Sequence, residues 1–254
     1  MTVLKAESLA VAVPGRGLCR GLELTLAPGQ CWGLLGANGI GKTTLLHTLA
    51  GLRPPAAGGV RLDGEPLQRL GRKSLARRIG VLFQDSQDTF PASVLETALS
   101  GRYPHLPLWG MESERDVTLA REALAQVGLA ELARRRVNTL SGGERRRLAV
   151  AILLVQSPAI FLLDEPTNHL DLHHQITLLS LLTERTRRGG ILLMSLHDVN
   201  LVTRFCSHAL LMVDEDTLIA GPVGEVIDAG NLKRLYRHGV REVYDGERRY
   251  YFPA

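Results

Sequence analysis

The sequence predicts an α/β fold: a mixed sheet flanked by helices, with an antiparallel β edge ahead of it and an α-helical subdomain inserted into it. Three observations carry this. Short continuous apolar runs at Cys31 to Leu35, Ala159 to Leu163 and Ile191 to Ser195 have the length of strands buried on both faces. Helical patterns follow the first run and separate the other two. Between about 85 and 156 strand-like runs vanish and helical periodicity takes over.

Taken in order, residues 1 to 28 read as short alternating strands, with Leu22, Leu24 and Leu26 on one face, Glu23 and Thr25 on the other, and Pro28-Gly29 as the stop. The Cys31 run leads into a glycine-rich loop, then a helix from about Thr43 to Ala50 with Gly51 beyond its end. The core is expected over 1–84 and 157–225, with a helical subdomain over 85–156. There Ser93-Val94-Leu95-Glu96 is a capping-box pattern and Val117, Ala120, Leu124 and Val127 recur at helical spacing before Gly128. After Pro158 the two later strands flank a helix from about Leu172 to Arg187. Residues 226–254, ending in Tyr250-Tyr251-Phe252, fit either a terminal strand or a surface tail.

Composition narrows the function classes. At 254 residues, 45% hydrophobic and 22% charged, the chain suits one large domain carrying an insertion. Spanning a bilayer takes about 20 mainly apolar residues, and the runs Leu148 to Val155 and Ile191 to Leu196 fall far short. The first residues lack the apolar segment of a secretory signal, so the cytosol is expected. Cys19, Cys31 and Cys206 are widely spaced, which suggests neither a disulfide framework nor a zinc site. The net charge of +4 gathers in Arg134 to Arg136 and Arg145 to Arg147 without interleaved aromatics, so nucleic-acid contact is not expected.

The chemistry concentrates in a few places. Gly36-Ala37-Asn38-Gly39-Ile40-Gly41-Lys42-Thr43 matches the P-loop pattern after an apolar strand and at a helix start. Backbone N–H groups there converge on phosphate, Lys42 adds a charge, and Thr43 offers a hydroxyl to Mg²⁺. The nucleotide-binding candidates are Gly36, Asn38, Gly39, Gly41, Lys42, Thr43 and Thr44. Ile160 to Leu163 ends in Asp164-Glu165, at the strand end where ligands of open α/β sheets sit. Alternation along a strand would aim the two acids apart, Asp164 at the metal and Glu165 at a water facing the γ-phosphate. His197 closes the next strand at the same rim, where it could orient that water. His169 and His173, one helical turn apart, raise a metal site, but the segment reads as a loop entering a helix.

Leu140-Ser141-Gly142-Gly143-Glu144 also fits a capping box, yet glycine costs up to about 1 kcal/mol within a helix and capping needs neither one. Bare backbone at a helix start suggests a second anion site. With this motif the chain resembles the ABC-type ATPases. Gly36 to Thr43 is similar to Walker A, Ile160 to Glu165 to Walker B and Ser141 to Gly143 to the signature. Gln84 resembles the Q-loop, Asn168 to Asp171 the D-loop and His197 the switch histidine.

That resemblance implies an ATPase using ATP and magnesium. Glu165 and His197 would be catalytic, and Thr43, Gln84 and Asp164 would surround the metal. It also implies a head-to-tail dimer, with ATP on Walker A of one copy covered by Ser141, Gly142 and Gly143 of the other. The importer branch for iron–siderophore, haem or cobalamin cargo is the expected setting. There a polytopic membrane permease is the partner, a substrate-binding protein acts indirectly, and the subunit lies peripherally on the cytoplasmic face of the inner membrane. A soluble ABC ATPase acting on ribosomes or DNA, and an exporter cassette, are the alternatives. Val13 stands where the family usually stacks an aromatic on adenine, and Glu144 where glutamine is commoner.

Overall fold

A computed structural model describes residues 2–84, 91–107, 109–246 and 248–254. The chain opens on a hairpin of β1 (Leu4–Val13) and β2 (Arg16–Leu26), paired from Leu4 opposite Leu26 to Val13 opposite Arg16 with shifts of register between Ala6 and Ala12. The other edge of β1 pairs with a later strand, below, so the expected antiparallel edge is present.

β3 (Cys31–Gly36) runs into the loop and α1 (Lys42–Leu49). Next come β4 (Ala57–Leu62) and β5 (Glu65–Pro66), which complete the antiparallel sheet in the order β2-β1-β4-β5. α2 (Arg72–Arg78) and β6 (Ile79–Leu82) return the chain to the central layer.

Between β6 and the next strand the described residues hold helices and turns, apart from one isolated bridge between Ser93 and Arg136. The helices are α3 (Val94–Leu99), α4 (Glu114–Gln126) and α5 (Gly142–Gln156). The first part of the expected helical segment, 85–90, lies outside the described residues. Capping boxes open α3 at Ser93 and Glu96 and α4 at Ser113 and Asp116.

β7 (Ile160–Leu163), α6 (Leu172–Arg187), β8 (Ile191–Ser195), α7 (Val199–Phe205), β9 (His208–Met212) and β10 (Leu218–Pro222) finish the core. The central sheet has the order β10-β9-β3-β8-β7-β6, parallel except for the antiparallel edge strand β10. Its inner strands β3, β7 and β8 are almost wholly apolar and buried because both faces are covered. Ile160, Leu162, Ile191 and Leu193 face α1 and the antiparallel sheet; Phe161, Leu163, Leu192 and Met194 face the opposite core with α3 to α6.

The end of the chain is folded rather than a loose tail. After α8 (Val223–Val226) and α9 (Ala229–Tyr236), β11 (Val240–Asp245) and β12 (Arg248–Pro253) form a hairpin. Tyr251 is buried and its hydroxyl donates to the Ile227 carbonyl at 2.9 Å. The layout leaves the carboxyl ends of β3, β7 and β8, three neighbours, on one rim.

Candidate functional site

The loop after β3 turns through Gly41, whose φ of 116° lies in the region glycine favours. A Cβ there would fall 2.9 Å from the Leu18 side chain, so backbone and β2 approach too closely for any other residue. Gly41 is the N-cap of α1 and supplies no side-chain cap, and the first turn holds no acid. The N–H groups and the positive end of the helix are therefore left for an anion. Lys42, only 6% exposed, donates from Nζ to the carbonyls of Gly36 at 2.8 Å and Ala37 at 3.1 Å. Burial pushes its pKa down, and the charges of Glu165 and Asp164 oppose that.

A cavity of about 520 Å³ opens in front of this loop. Asn38, Gly39, Gly41, Lys42, Thr43 and Thr44 line it from the loop, and Gln84, Glu165 and His197 from other elements. Gly36 stays beneath, through its carbonyl bond to Lys42. At the mouth Val13 is joined by Arg16 and Leu18 of β2. Sequence reading named only Val13; the register that sets it opposite Arg16 brings the other two, and no linear motif signals them.

Asp164 and Glu165 lie just past the end of β7, not within it, so strand alternation does not separate them as expected. Their division comes from the turn. Glu165 takes a left-handed φ of 48°, a conformation costing a non-glycine residue about 1–2 kcal/mol. Asp164, 1% exposed, accepts from Thr43 Oγ1 at Oδ2 and from Ser195 Oγ at Oδ1, 2.6 Å. Ser195 Oγ in turn accepts the Glu165 N–H at 2.8 Å. The Glu165 carboxylate is held at both oxygens: His197 Nε2 donates to Oε1 at 2.7 Å, and Gln84 Nε2 at 3.3 Å and Asn168 Nδ2 donate to Oε2. A carboxylate so fixed, facing the cavity, can accept a proton from a water there.

Arg146 is the residue sequence reading missed. It was counted only within the excess charge of Arg145 to Arg147, yet it is 6% exposed. Its guanidinium donates to the carbonyls of Phe83 at 2.6 Å, Glu165 at 2.6 Å and Asp164, and at 3.4 Å to Gln84 and Pro166. One side chain thus ties α5 to the backbones of both segments that present Gln84 and Glu165. The signal was available: Arg146, Val150 and Leu153 share one helical face, and all are buried.

Ser141, Gly142 and Gly143 do not line the cavity. The capping box that the two glycines argued against is formed: Ser141 Oγ accepts the Glu144 N–H at 3.2 Å, and Glu144 Oε2 accepts the Ser141 N–H at 2.7 Å. A Cβ on Gly143 would approach the His169 carbonyl at 3.0 Å, whereas one on Gly142 would meet nothing closer than 3.7 Å. Contacts within the chain therefore account for the second glycine and not for the first.

The donors around Thr43 and Asp164 suit magnesium: a hydroxyl and a carboxylate that converge on each other, beside the Gln84 amide, with room for phosphate oxygens. His169 and His173 belong to no group of three or more metal-ligating side chains among the described residues. Asp171 instead caps α6, accepting the His174 N–H at 2.9 Å.

A family model described as ABC transporter matches residues 19–168. The chain is 40% identical over 237 residues to FepC, the ferric enterobactin transport ATP-binding protein of Escherichia coli (strain K12), covering 92% of this chain and 86% of that protein. It is 38% identical over 242 residues to HmuV, the hemin import ATP-binding protein of Bordetella avium (strain 197N), covering 92% and 91%. A solved metal-chelate type ABC transporter in an inward-facing conformation superimposes with a TM-score of 0.86 at 26% identity, over 100% of this chain and 98% of that one.

Proposed function

The chain belongs to the ABC transporter family of ATP-binding subunits and is an ATPase; on that premise we propose that it powers a bacterial importer of metal chelates. In this reading it dimerises head to tail around ATP and drives an iron–siderophore complex, haem or cobalamin through a membrane permease. The observation that carries the chemistry is the carboxylate of Glu165, held by His197, Gln84 and Asn168 at the wall of the loop cavity.

The γ-phosphate lies on the loop N–H groups, and Lys42 swings from the Gly36 and Ala37 carbonyls to the phosphate oxygens. A water oxygen attacks the γ-phosphorus while the bond to the bridging oxygen breaks and its electron pair leaves with ADP. The proton of that water passes to Glu165, and His197 holds the carboxylate in line. Magnesium would be held by Thr43 and Asp164 near Gln84, where it would supply positive charge to offset that of the phosphates.

Ser141, Gly142 and Gly143 cover the ATP of a second copy. Their place outside the cavity of their own chain and the open space over Gly142 support this. The permease side is supported by an apolar cleft of about 490 Å³ between α1, α2 and β6, at which Leu52 and Phe83 are exposed. Phe83 adjoins Gln84, so a helix seated there reaches the ATP site through one peptide. No helix among the described residues is long and apolar enough to cross a membrane. A peripheral position on the cytoplasmic face of the inner membrane belongs to the same reading. The relatives that act on ferric enterobactin and haemin support the cargo class.

The test is reconstitution with the cognate permease and binding protein in vesicles. A ferric siderophore, haem or cobalamin should raise ATP hydrolysis severalfold. If no polytopic protein co-purifies and no cargo of this class stimulates turnover, the importer reading is wrong.

A further inference from the structure

His197 is half-exposed, with the Glu165 carboxylate as its hydrogen-bond partner among the described residues. Its place is therefore set by the backbone that carries it. That backbone runs from Leu196 directly into the first turn of α7, where the C-terminal hairpin is fastened. Asn200, the second residue of α7, donates from Nδ2 to the Tyr251 carbonyl at 3.1 Å and accepts the Tyr251 N–H at Oδ1, 2.8 Å. One side chain thus pairs with both main-chain groups of a residue in β12, as a neighbouring strand would. Asn200 is held in turn, its own N–H donating to the capping oxygen of Asp198 at 2.8 Å. Tyr251 is anchored independently by its buried ring and its bond to Ile227.

We propose that Asn200 is a positioning residue for ATP hydrolysis: by locking the start of α7 to β12 it fixes the segment carrying His197, and with it the His197–Glu165 hydrogen bond. This rests on the reading of Glu165 and His197 as the hydrolytic pair. It gives the C-terminal hairpin a task in the reaction, because its grip falls on the turn three residues from the histidine. A displacement of about 1 Å at a reacting group can cost about 10²-fold in rate, so loosening this segment should cost about tenfold.

Steady-state hydrolysis by the full chain tests it, with Asn200→Ala, His197→Ala, the double variant and Glu165→Gln, each checked for its melting temperature. Asn200→Ala should lower kcat about tenfold while KM for ATP stays within about twofold, and in the His197→Ala background it should cost less than about twofold more. A clamp that serves only stability would lower the melting temperature and leave kcat of the folded protein unchanged. Wild-type kcat in Asn200→Ala, or an equal loss with and without His197, overturns the proposal. If Asn200→Ala does not fold, Asn200→Asp keeps the acceptor for the Tyr251 N–H and carries the same test. Its expected loss is about threefold, again absent without His197. Wild-type turnover in Glu165→Gln would defeat the reading of the site itself. A slow Glu165→Gln beside a normal Asn200→Ala would defeat only the role of Asn200.

Discussion

α1 after the phosphate loop and α5 at Ser141-Gly142-Gly143 both begin at glycines, and they begin in opposite ways. α1 starts without a side-chain cap, behind a left-handed Gly41, facing a cavity lined by its own chain. α5 starts with a complete capping box, and the cavity is not built on it. An uncapped helix start leaves its donors open to water or to a ligand, and in α1 they face the cavity. A capped one has satisfied two donors already and keeps only what the cap leaves uncovered. The first site is thus built within the chain, and the second lies outside that cavity. That difference is what a shared ATP between two copies requires.

Four substitutions break or sharpen the contrast. The largest effect is expected from Glu165→Gln, which removes the proposed proton acceptor and should slow hydrolysis by about 10²–10⁴-fold with ATP binding retained. ATP-dependent dimers of that variant should be visible by size-exclusion chromatography. Lys42→Ala removes a charge-assisted bond to phosphate worth about 1.5–3 kcal/mol, so ATP affinity should fall about 10- to 100-fold; titration with a fluorescent ATP analogue reads this.

Ser141→Asp separates capping from covering. Aspartate caps as well as serine does, so the melting temperature should hold, while its charge should oppose a partner's γ-phosphate and cut hydrolysis about tenfold. Retained ATP binding in the monomer completes the expected pattern, and unimpaired turnover would leave Ser141 as a cap alone. Asp116→Asn is the control at a capped helix start without a nucleotide. Hydrogen bonds from Ser113, then the Arg102 guanidinium, hold the Asp116 carboxyl down at about 2. Its folded pKa lies below the unfolded value near 3.9, so its stabilisation of about 2 kcal/mol is present above pH 4 and fades as pH falls towards 2. Denaturant unfolding should show that loss at pH 7 and a shrinking difference below pH 4, with hydrolysis by the folded variant unaffected.

Legibility followed how local the causes are. The α/β class, the loop and α1 could be read because a phosphate loop is built from adjacent residues, and α6 because its cap and periodicity lie within one segment. Arg146 hid inside a triple-arginine run, where charge outweighed the helical phase that buries its middle member. The separation of Asp164 from Glu165 was expected for the wrong reason, since β7 ends before either acid and a left-handed turn does the work. The C-terminal hairpin was illegible because it docks through Tyr251 alone among its buried residues, so no alternating pattern marks its strands. Its grip on Asn200 spans 51 positions.

The position of β3 in the central sheet has a consequence for synthesis. Its two neighbours are β8 and β9, made long after it, so the loop at its end leaves the ribosome well before either strand that flanks it. Such distant pairing delays ordering until the later segments arrive. A nascent chain halted before β8 holds the whole phosphate-loop sequence with no sheet to seat it. Competence to bind ATP therefore arrives only after β8 and β9 have been made.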